Sequence, residues 1–337
     1  MLLIRPVATN DHAEILELAH EAGIGFTSLP PDAKVLERKI ARSVNSFKSK
    51  PQTEGGENFL FVLVDTDSGK LVGTTGIVTH VGLKRPFYSY KLSTIVQASA
   101  ELDIYSQQRV LHMVNDYTGA TEIGSLFLLP AYRRDGIGKF LSRSRYLMLA
   151  EFPQVFSRTV ISEIRGVQDE HGNSPFYKHL AQHFFQMDFK RADFTNATKG
   201  GQFISDLMPK YPIYVNLLDK SAQDVIGQPL EASRPAVQML EQEGFRYQGY
   251  IDVFDAGPTM QAELTQIRSV RKSHHAVVDD IKPLAKRANS IISSTRFSDF
   301  SIALAAVEGH DGHVSITPEA AKALGVAIGD FVRYVEA

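Results

Sequence analysis

Apolar and polar positions divide the chain into short strands and amphipathic helices in mixed order. Leu2 to Val7 reads as an edge strand ended by Pro6, and Asp11 stands where a helix cap belongs, before a helix to about Ala22 with Ile15, Leu16, Leu18 and Ala19 inward. Gly23-Ile24-Gly25 stops that helix, and Thr27-Ser28-Leu29-Pro30-Pro31 is a rigid turn. A second helix begins at Asp32, with Val35, Leu36, Ile40 and Val44 on one face, and residues 48–57 form a polar loop. Phe59 to Val64 and Leu71 to Thr79 are strands joined by the turn Asp65-Thr66-Asp67-Ser68-Gly69. Ile123 to Leu129 is an apolar run of strand length. Phe140, Leu141, Leu147 and Ala150 then recur at helical spacing, with Arg143 and Arg145 expected to turn away from that apolar face.

Beyond Ala150 the pattern predicts a strand at Thr159 to Ile164 and one helix from Ser174, with Pro175 in its first position and His183 packed on its apolar side. Residues 188–202 show no clear period. Phe203 to Met208 stops at Pro209, Pro212 to Val215 is a short strand, and 219–229 and 234–243 are helices ended by Gly227 and Gly244. Phe245 to Phe254 alternates as a strand, broken by Asp255-Ala256-Gly257-Pro258. Ser174 to Phe189 and Ser233 to Tyr247 share the shape of a helix closing into an aromatic strand, a hint of two related halves. Residues 262–290 read as a polar surface connection. Phe300 to Val307, Val314 to Ile316 and Phe331 to Val335 are strands around a helix capped by Thr317 and ended by Gly325.

Composition narrows the function classes. The 337 residues are 43% apolar and 22% charged, with a net charge of −2, which argues against a binder that works by neutralising phosphates along a nucleic acid. The absence of cysteine excludes disulfides, thiolate zinc sites and cysteine nucleophiles. The apolar start, Met1 to Ile4, is too short for a signal peptide, and no apolar run reaches membrane-spanning length, so a cytoplasmic protein is expected, with no membrane or nucleic-acid partner.

The chemistry concentrates at Arg133-x-x-Gly136-x-Gly138, between the Ile123 strand and the Phe140 helix. Free N–H groups at a helix start favour an anion, and glycine lets a phosphate approach the backbone. Neither a Gly-x-Gly-x-x-Gly dinucleotide fingerprint nor a Walker sequence is present. Arg-x-x-Gly-x-Gly after an apolar strand resembles the pyrophosphate signature of the GNAT acyl-CoA N-acyltransferases, and the order strand, two helices, two strands, strand, helix is similar to theirs. The expected class is therefore α+β and GNAT-like.

Longer blocks resemble a narrower family. Gly25-Phe26-Thr27-Ser28-Leu29-Pro30, Asn115-Asp116-Tyr117-Thr118-Gly119, Arg165 to Phe176, Asp206 to Tyr214, Glu243 to Tyr247, Asp252 to Pro258 and Ile267 to Ser273 resemble the bacterial arginine N-succinyltransferases, including the β-type subunit of the arginine/ornithine version, over nearly the full length. The resemblance implies succinyl-CoA as donor, the α-amine of L-arginine or a related amine as acceptor, N2-succinylarginine and coenzyme A as products, no metal, and a homodimer or a heterodimer with a related subunit. It implies a GNAT-like acyl-CoA-binding domain over 1–215 with an insert at 82–119, a second GNAT-like segment over 216–262 completing the acceptor site, and a linker with a small β-rich module over 263–337.

Site residues follow the same way. The family's succinyl-CoA contact falls on Leu126, and Arg133, Gly136 and Gly138 are the pyrophosphate candidates. The family's proton-donating His, a few residues after a Gly-Gln pair, corresponds here to Leu230, after Gly227-Gln228, and no His lies between His183 and His274. The alternative readings are a non-catalytic or partnered CoA-binding subunit, or a different acceptor amine. His171, next to Asp169 and Glu170, is the replacement candidate for the proton donor, and Glu163 a second base. Arg165 or Arg85 is expected to meet the succinyl carboxylate, and Asp252 or Asp255 the guanidinium of arginine.

Overall fold

A computed structural model describes residues 1–23, 27–48, 56–285 and 288–337. Ile24, Gly25, Phe26, residues 49–55 of the expected loop and residues 286–287 of the expected connection lie outside the described residues. The chain runs through β1 (Leu2–Pro6), α1 (His12–Ala22), α2 (Ala33–Lys48), β2 (Asn58–Asp65), β3 (Leu71–Val78), the hairpin β4 (Ser89–Ser99) and β5 (Ile104–Val114), β6 (Thr121–Leu128), α3 (Ile137–Glu151) and β7 (Thr159–Glu163). It continues through α4 (Pro175–His179), α5 (Ala181–Phe185), α6 (Phe189–Lys199), α7 (Gln202–Leu207), β8 (Ile213–Tyr214), α8 (Lys220–Val225), α9 (Arg234–Glu243), β9 (Arg246–Ile251) and β10 (Pro258–Glu263). The last stretch holds α10 (Arg268–Lys272), β11 (His274–Ile281), β12 (Ser290–Ser294), β13 (Ile302–Ala305), β14 (Val307–His310), β15 (His313–Ile316), α11 (Pro318–Leu324) and β16 (Phe331–Glu336).

All of these strands hydrogen-bond into one sheet, in the order β14-β15-β11-β16-β12-β13-β1-β2-β3-β6-β7-β10-β9-β4-β5-β8. The class is α+β, as expected. The insert at 82–119 is mostly the β4–β5 hairpin, paired over its whole length from Ser89–Val114 to Ser99–Ile104.

Several local expectations are corrected. β1 is no edge strand: it pairs with β2 on one side and β13 on the other, and Pro6, which cannot donate to a ladder, is tolerated because it is the last residue. Asp11 makes no side-chain cap on α1; its carboxylate takes Arg5 Nη1 and the Ala8 N–H, both at 2.7 Å. The helix from Ser174 breaks at Leu180 (φ −134°, ψ −80°) into α4 and α5, and His183 is exposed rather than packed. Phe189 opens α6, with Asp188 Oδ1 accepting from Arg191 N at 2.8 Å, so the segment from Ser174 closes into another helix and not into a strand. The similarity of shape behind the two related halves is therefore absent there, although Ser233 to Tyr247 does run from helix to strand. Pro258 to Glu263 is a strand between β7 and β9, and 262–290 contains α10 and β11, where Ala276 and Val278 are buried.

The largest correction concerns α3. Phe140 to Leu149 are ten consecutive buried residues, including Arg143 and Arg145. The helix lies on β3 and β6 with one side and on β12, β16 and α10 with the other. Arg143, expected at the surface, has Nε 3.1 Å from Glu243 Oε1 and 3.0 Å from Ser269 Oγ, and Nη2 donates to the Glu336 carbonyl at 2.7 Å. Glu243 accepts in addition from the Ser269 N–H at 2.7 Å and hydroxyl at 2.9 Å. Removing one partner of such a pair leaves the other charge buried. Glu243→Ala should therefore lower unfolding free energy by about 3–5 kcal/mol, read from urea denaturation at pH 7; a loss below about 1 kcal/mol would show that the pair is not what holds α3, α9 and α10 together.

Candidate active site

The site begins where two parallel strands separate. β6 and β7 pair only at Thr121–Val160 and Glu122–Ile161. Just beyond, the register of β6 on β3 slips between Thr74 and Gly76, and Ser125 takes a left-handed φ of 52°, so β6 bulges away from its neighbour. Thr74 Oγ1 donates to the Ser125 carbonyl at 2.8 Å and holds the bulge. The gap becomes a cavity of about 290 Å³. One wall is Gly124, Ser125 and Leu126 of β6, with Glu122; the facing wall is Ser162, Glu163, Ile164 and Arg165. Ser142 and Arg145 of α3, Asp193 and Asn196 of α6, Ser233, Ala236 and Leu240, and the turn Asp252 to Asp255 close the remaining sides, with Thr27 and Ser28 at the rim.

Four sequence candidates follow β6 outward from this cavity. Leu126 lines it. Arg133 Nε donates to the Leu128 carbonyl at 2.9 Å, which fixes an otherwise exposed guanidinium beside the turn. Gly136 adopts φ 76° as the residue before α3, a conformation that favours glycine. The Ile137 N–H is taken by the Arg134 carbonyl at 3.0 Å, whereas those of Gly138 and Lys139 have no acceptor among the described residues. That is the open helix start an anion needs.

The other candidates divide. Asp252 lines the cavity; its Oδ1 accepts from Phe254 N at 2.7 Å and Asp255 N at 2.9 Å, while burial, with Asp255 nearby, pushes its carboxyl up to about 7. Arg165 also lines it but is already held. Asp193 Oδ2 lies 2.7 Å and Asp255 Oδ2 3.2 Å from its terminal nitrogens, and although burial opposes its charge, these carboxylates raise its pKa. A guanidinium so paired is a poor receptor for a further carboxylate. The clamp depends on close backbone approach: a Cβ at Gly166 would collide with the Asp255 carbonyl, and one at Gly257 with that of Ile164.

His171 does not reach the site. It is 76% exposed in a turn organised by Asp169, whose Oδ1 accepts from the His171 and Asn173 N–H groups, and its imidazole is 3.7 Å from Glu170. Arg85 is likewise exposed, beside Gly200, and does not line the cavity. Leu230 is close: its N–H donates to the Arg165 carbonyl at 2.8 Å, and Ser233 three residues on is in the wall.

Four wall or near-wall charges were missed in the sequence. Asp193 stands in the stretch without a period, and Arg145 on the supposed solvent face of α3. Glu122 and Lys39 look like ordinary surface charges. Lys39 donates to the Ser28 carbonyl and to Ser125 Oγ at 3.4 Å; burial, partly offset by Glu122, brings its pKa down to about 8. Burial raises Glu122, with Lys39 opposing. Glu163 is raised well above the usual carboxylate range, by burial first and then by Asp252, Glu122 and Asp255. Its carboxyl has no hydrogen bond or ion pair among the described residues. Among the described residues, no group of three or more His, Cys, Asp or Glu could hold a metal ion, and no helix is long and apolar enough to cross a membrane.

Comparison with known proteins covers both ends of the chain. The family described as arginine N-succinyltransferase beta subunit matches residues 2–269, and its C-terminal domain matches 274–336. The arginine N-succinyltransferase of Yersinia enterocolitica is 41% identical, over 99% of this chain and 97% of its own. That of Escherichia coli is 40% identical with the same coverage. The solved structure of arginine/ornithine succinyltransferase subunit AI from Pseudomonas aeruginosa superposes with a TM-score of 0.91 at 35% identity, covering 100% of this chain and 98% of that one. With the cavity, the turn and the C-terminal strands all inside these matches, the chain belongs to the arginine N-succinyltransferase family.

Proposed function

We propose that this chain transfers the succinyl group of succinyl-CoA to the α-amine of L-arginine, releasing N2-succinylarginine and coenzyme A, as a cytoplasmic enzyme of arginine breakdown. The observation that carries the reading is the half-buried, unpaired Glu163 facing the gap that opens at Leu126. Pyrophosphate at Gly136 to Lys139, helped by Arg133, would let the rest of the donor run along β6 to that gap. Arginine enters with its guanidinium toward Asp252, on the turn that closes the cavity.

Chemistry then needs three things. The α-ammonium must lose a proton, and Glu163, whose carboxylate is made more basic than an ordinary one by its surroundings, is placed to accept it. The neutral amine attacks the thioester carbonyl, and backbone N–H groups of the bulged strand are the available donors for the oxyanion, an arrangement of large catalytic value. The C–S bond breaks and the sulfur leaves as thiolate, which takes up the proton that the attacking nitrogen sheds as it becomes the amide. A thiol with a pKa of about 8.5 leaves without a dedicated acid, which is why Leu230 in the family's His position is compatible with turnover.

Glu163→Gln should reduce kcat/KM by roughly 10²–10⁴, measured as arginine-dependent CoA release, with the KM for succinyl-CoA nearly unchanged. Absence of release by the unaltered chain with arginine, ornithine or any other amine, while succinyl-CoA still binds, would replace this reading by that of a CoA-binding subunit. Asp252 supplies a pH signature. Its folded pKa of about 7 exceeds the unfolded value, so protonation-linked stability is complete at low pH and disappears as pH rises through 7. Asp252→Asn should therefore raise the melting temperature relative to the parent at pH 8 but not at pH 4; an equal effect at both would rule out a raised pKa.

Assembly with a second copy or a related subunit is part of the proposal. The β4–β5 hairpin exposes Val96, Leu102, Ile104 and Tyr105 around its turn, an apolar surface suited to a partner chain. Light scattering of the purified chain should give a mass above the 37.4 kDa monomer, and the double change Ile104→Glu, Tyr105→Glu should return it to the monomer. A monomeric parent would remove the self-association reading.

A further inference from the structure

The donor proposed above carries a carboxylate at the far end of its acyl group, two methylenes from the thioester carbon, and the cavity that takes this acyl group must answer its charge. We infer that Arg145 pairs with that carboxylate and selects donors whose acyl chain ends in one over uncharged acyl chains of the same length. This assignment rests on the reading of the cavity as the acyl-transfer site.

The argument starts from α3. Arg143 and Arg145 are two residues apart, about 200° around a helix, so they face opposite sides. Both are 2% exposed. Arg143 meets Glu243 on the side toward α9 and α10. Arg145 faces the cavity, and there its situation differs. Nε donates to the Ser142 carbonyl at 2.9 Å and Nη2 to the Ser142 hydroxyl at 3.0 Å, and the Tyr146 ring centre lies 5.9 Å from its guanidinium carbon. No carboxylate among the described residues is paired with it. Burial lowers its pKa, and only the Tyr146 phenol, not a carboxylate, works against it.

A guanidinium has five N–H donors, and Ser142 takes two. A buried charge without a counterion is unfavourable, and an anion entering the cavity relieves it. The other cations are already committed: Arg165 between Asp193 and Asp255, Lys39 to Ser28 and Ser125 beside Glu122. A carboxylate has two oxygens in the geometry of the guanidinium fork, whereas a methyl group in its place leaves the arginine buried and unanswered. Ser142 sets the orientation of that fork.

The test compares succinyl-CoA with butyryl-CoA, which has the same chain length and a methyl in place of the carboxylate, by equilibrium binding and by CoA release with arginine. The parent should bind succinyl-CoA roughly 10–100-fold more tightly, the range expected of charge-assisted hydrogen bonds. Arg145→Met should abolish that ratio and leave the affinity for free coenzyme A unchanged. Ser142→Ala, a small change that keeps the guanidinium but loosens it, should reduce the ratio several-fold and decides the matter if the methionine variant does not fold. An undiminished ratio in either folded variant, or a parent that binds both donors equally, overturns the assignment. A preserved binding ratio with no turnover would sink the proposed reaction and leave Arg145 as the carboxylate receptor.

Discussion

Enclosure of α3 on all sides is the constraint from which much of the molecule follows. An amphipathic helix on one side of a sheet can send its charges into water. This one cannot, because β12, β16 and α10 cover the side that the sheet does not. Polar groups along it then find a partner inside or, like Arg143 Nη1 and Tyr146 Oη, stay without a hydrogen bond among the described residues. Ser144 Oγ donates to the Leu141 carbonyl, Arg143 takes Glu243, and Glu151 at the last turn takes Arg333 Nε at 2.7 Å. The C-terminal strands are thus part of the housing of the helix that begins at the anion-binding turn, and a disturbance among them is transmitted to the floor of the cavity.

The elements nearest the chemistry were the legible ones. Strand, turn and helix from Thr121 to Glu151 were readable because an apolar run, two glycines and a helical period coincide. The caps at Ser174 and Thr317 and the stop at Gly244 were readable because they depend on local hydrogen bonds. What escaped was set by tertiary packing. β1 reads as an edge because nothing local shows that a strand three hundred residues on will lie against it. β11 was hidden because its apolar part, Ala276 to Val278, is short and flanked by His274-His275 and Asp279-Asp280, and α6 by the lack of an apolar period. The cavity charges were illegible for the same reason: Arg145, Glu122 and Lys39 look like solvated side chains until the layers around them are known, and Arg165 looks free until Asp193 and Asp255 are brought to it.

The cavity itself is an electrostatic compromise. Its acids outnumber the cations near them, and the excess is relieved by holding Glu163 and Asp252 above their ordinary pKa range. An incoming cationic amine supplies positive charge to those carboxyls and so eases their ionisation at the moment one is needed as a base. Substrate charge and base strength are in this way coupled without any movement of the backbone.

The place of β1 has a consequence for synthesis. Leu3 pairs with Ala303 and Ile4 with Ile302, so β1 keeps one hydrogen-bonding edge open during synthesis until β13 has been made. Open edges recruit other strands, including those of neighbouring nascent chains. The β2–β3 hairpin can form early on the other side of β1, but closure of the sheet is a late, long-range event, of the kind that folds slowly. For this chain a premature stop upstream of β13 would yield a body with an unsealed strand at its centre, more prone to associate than to remain a smaller soluble domain.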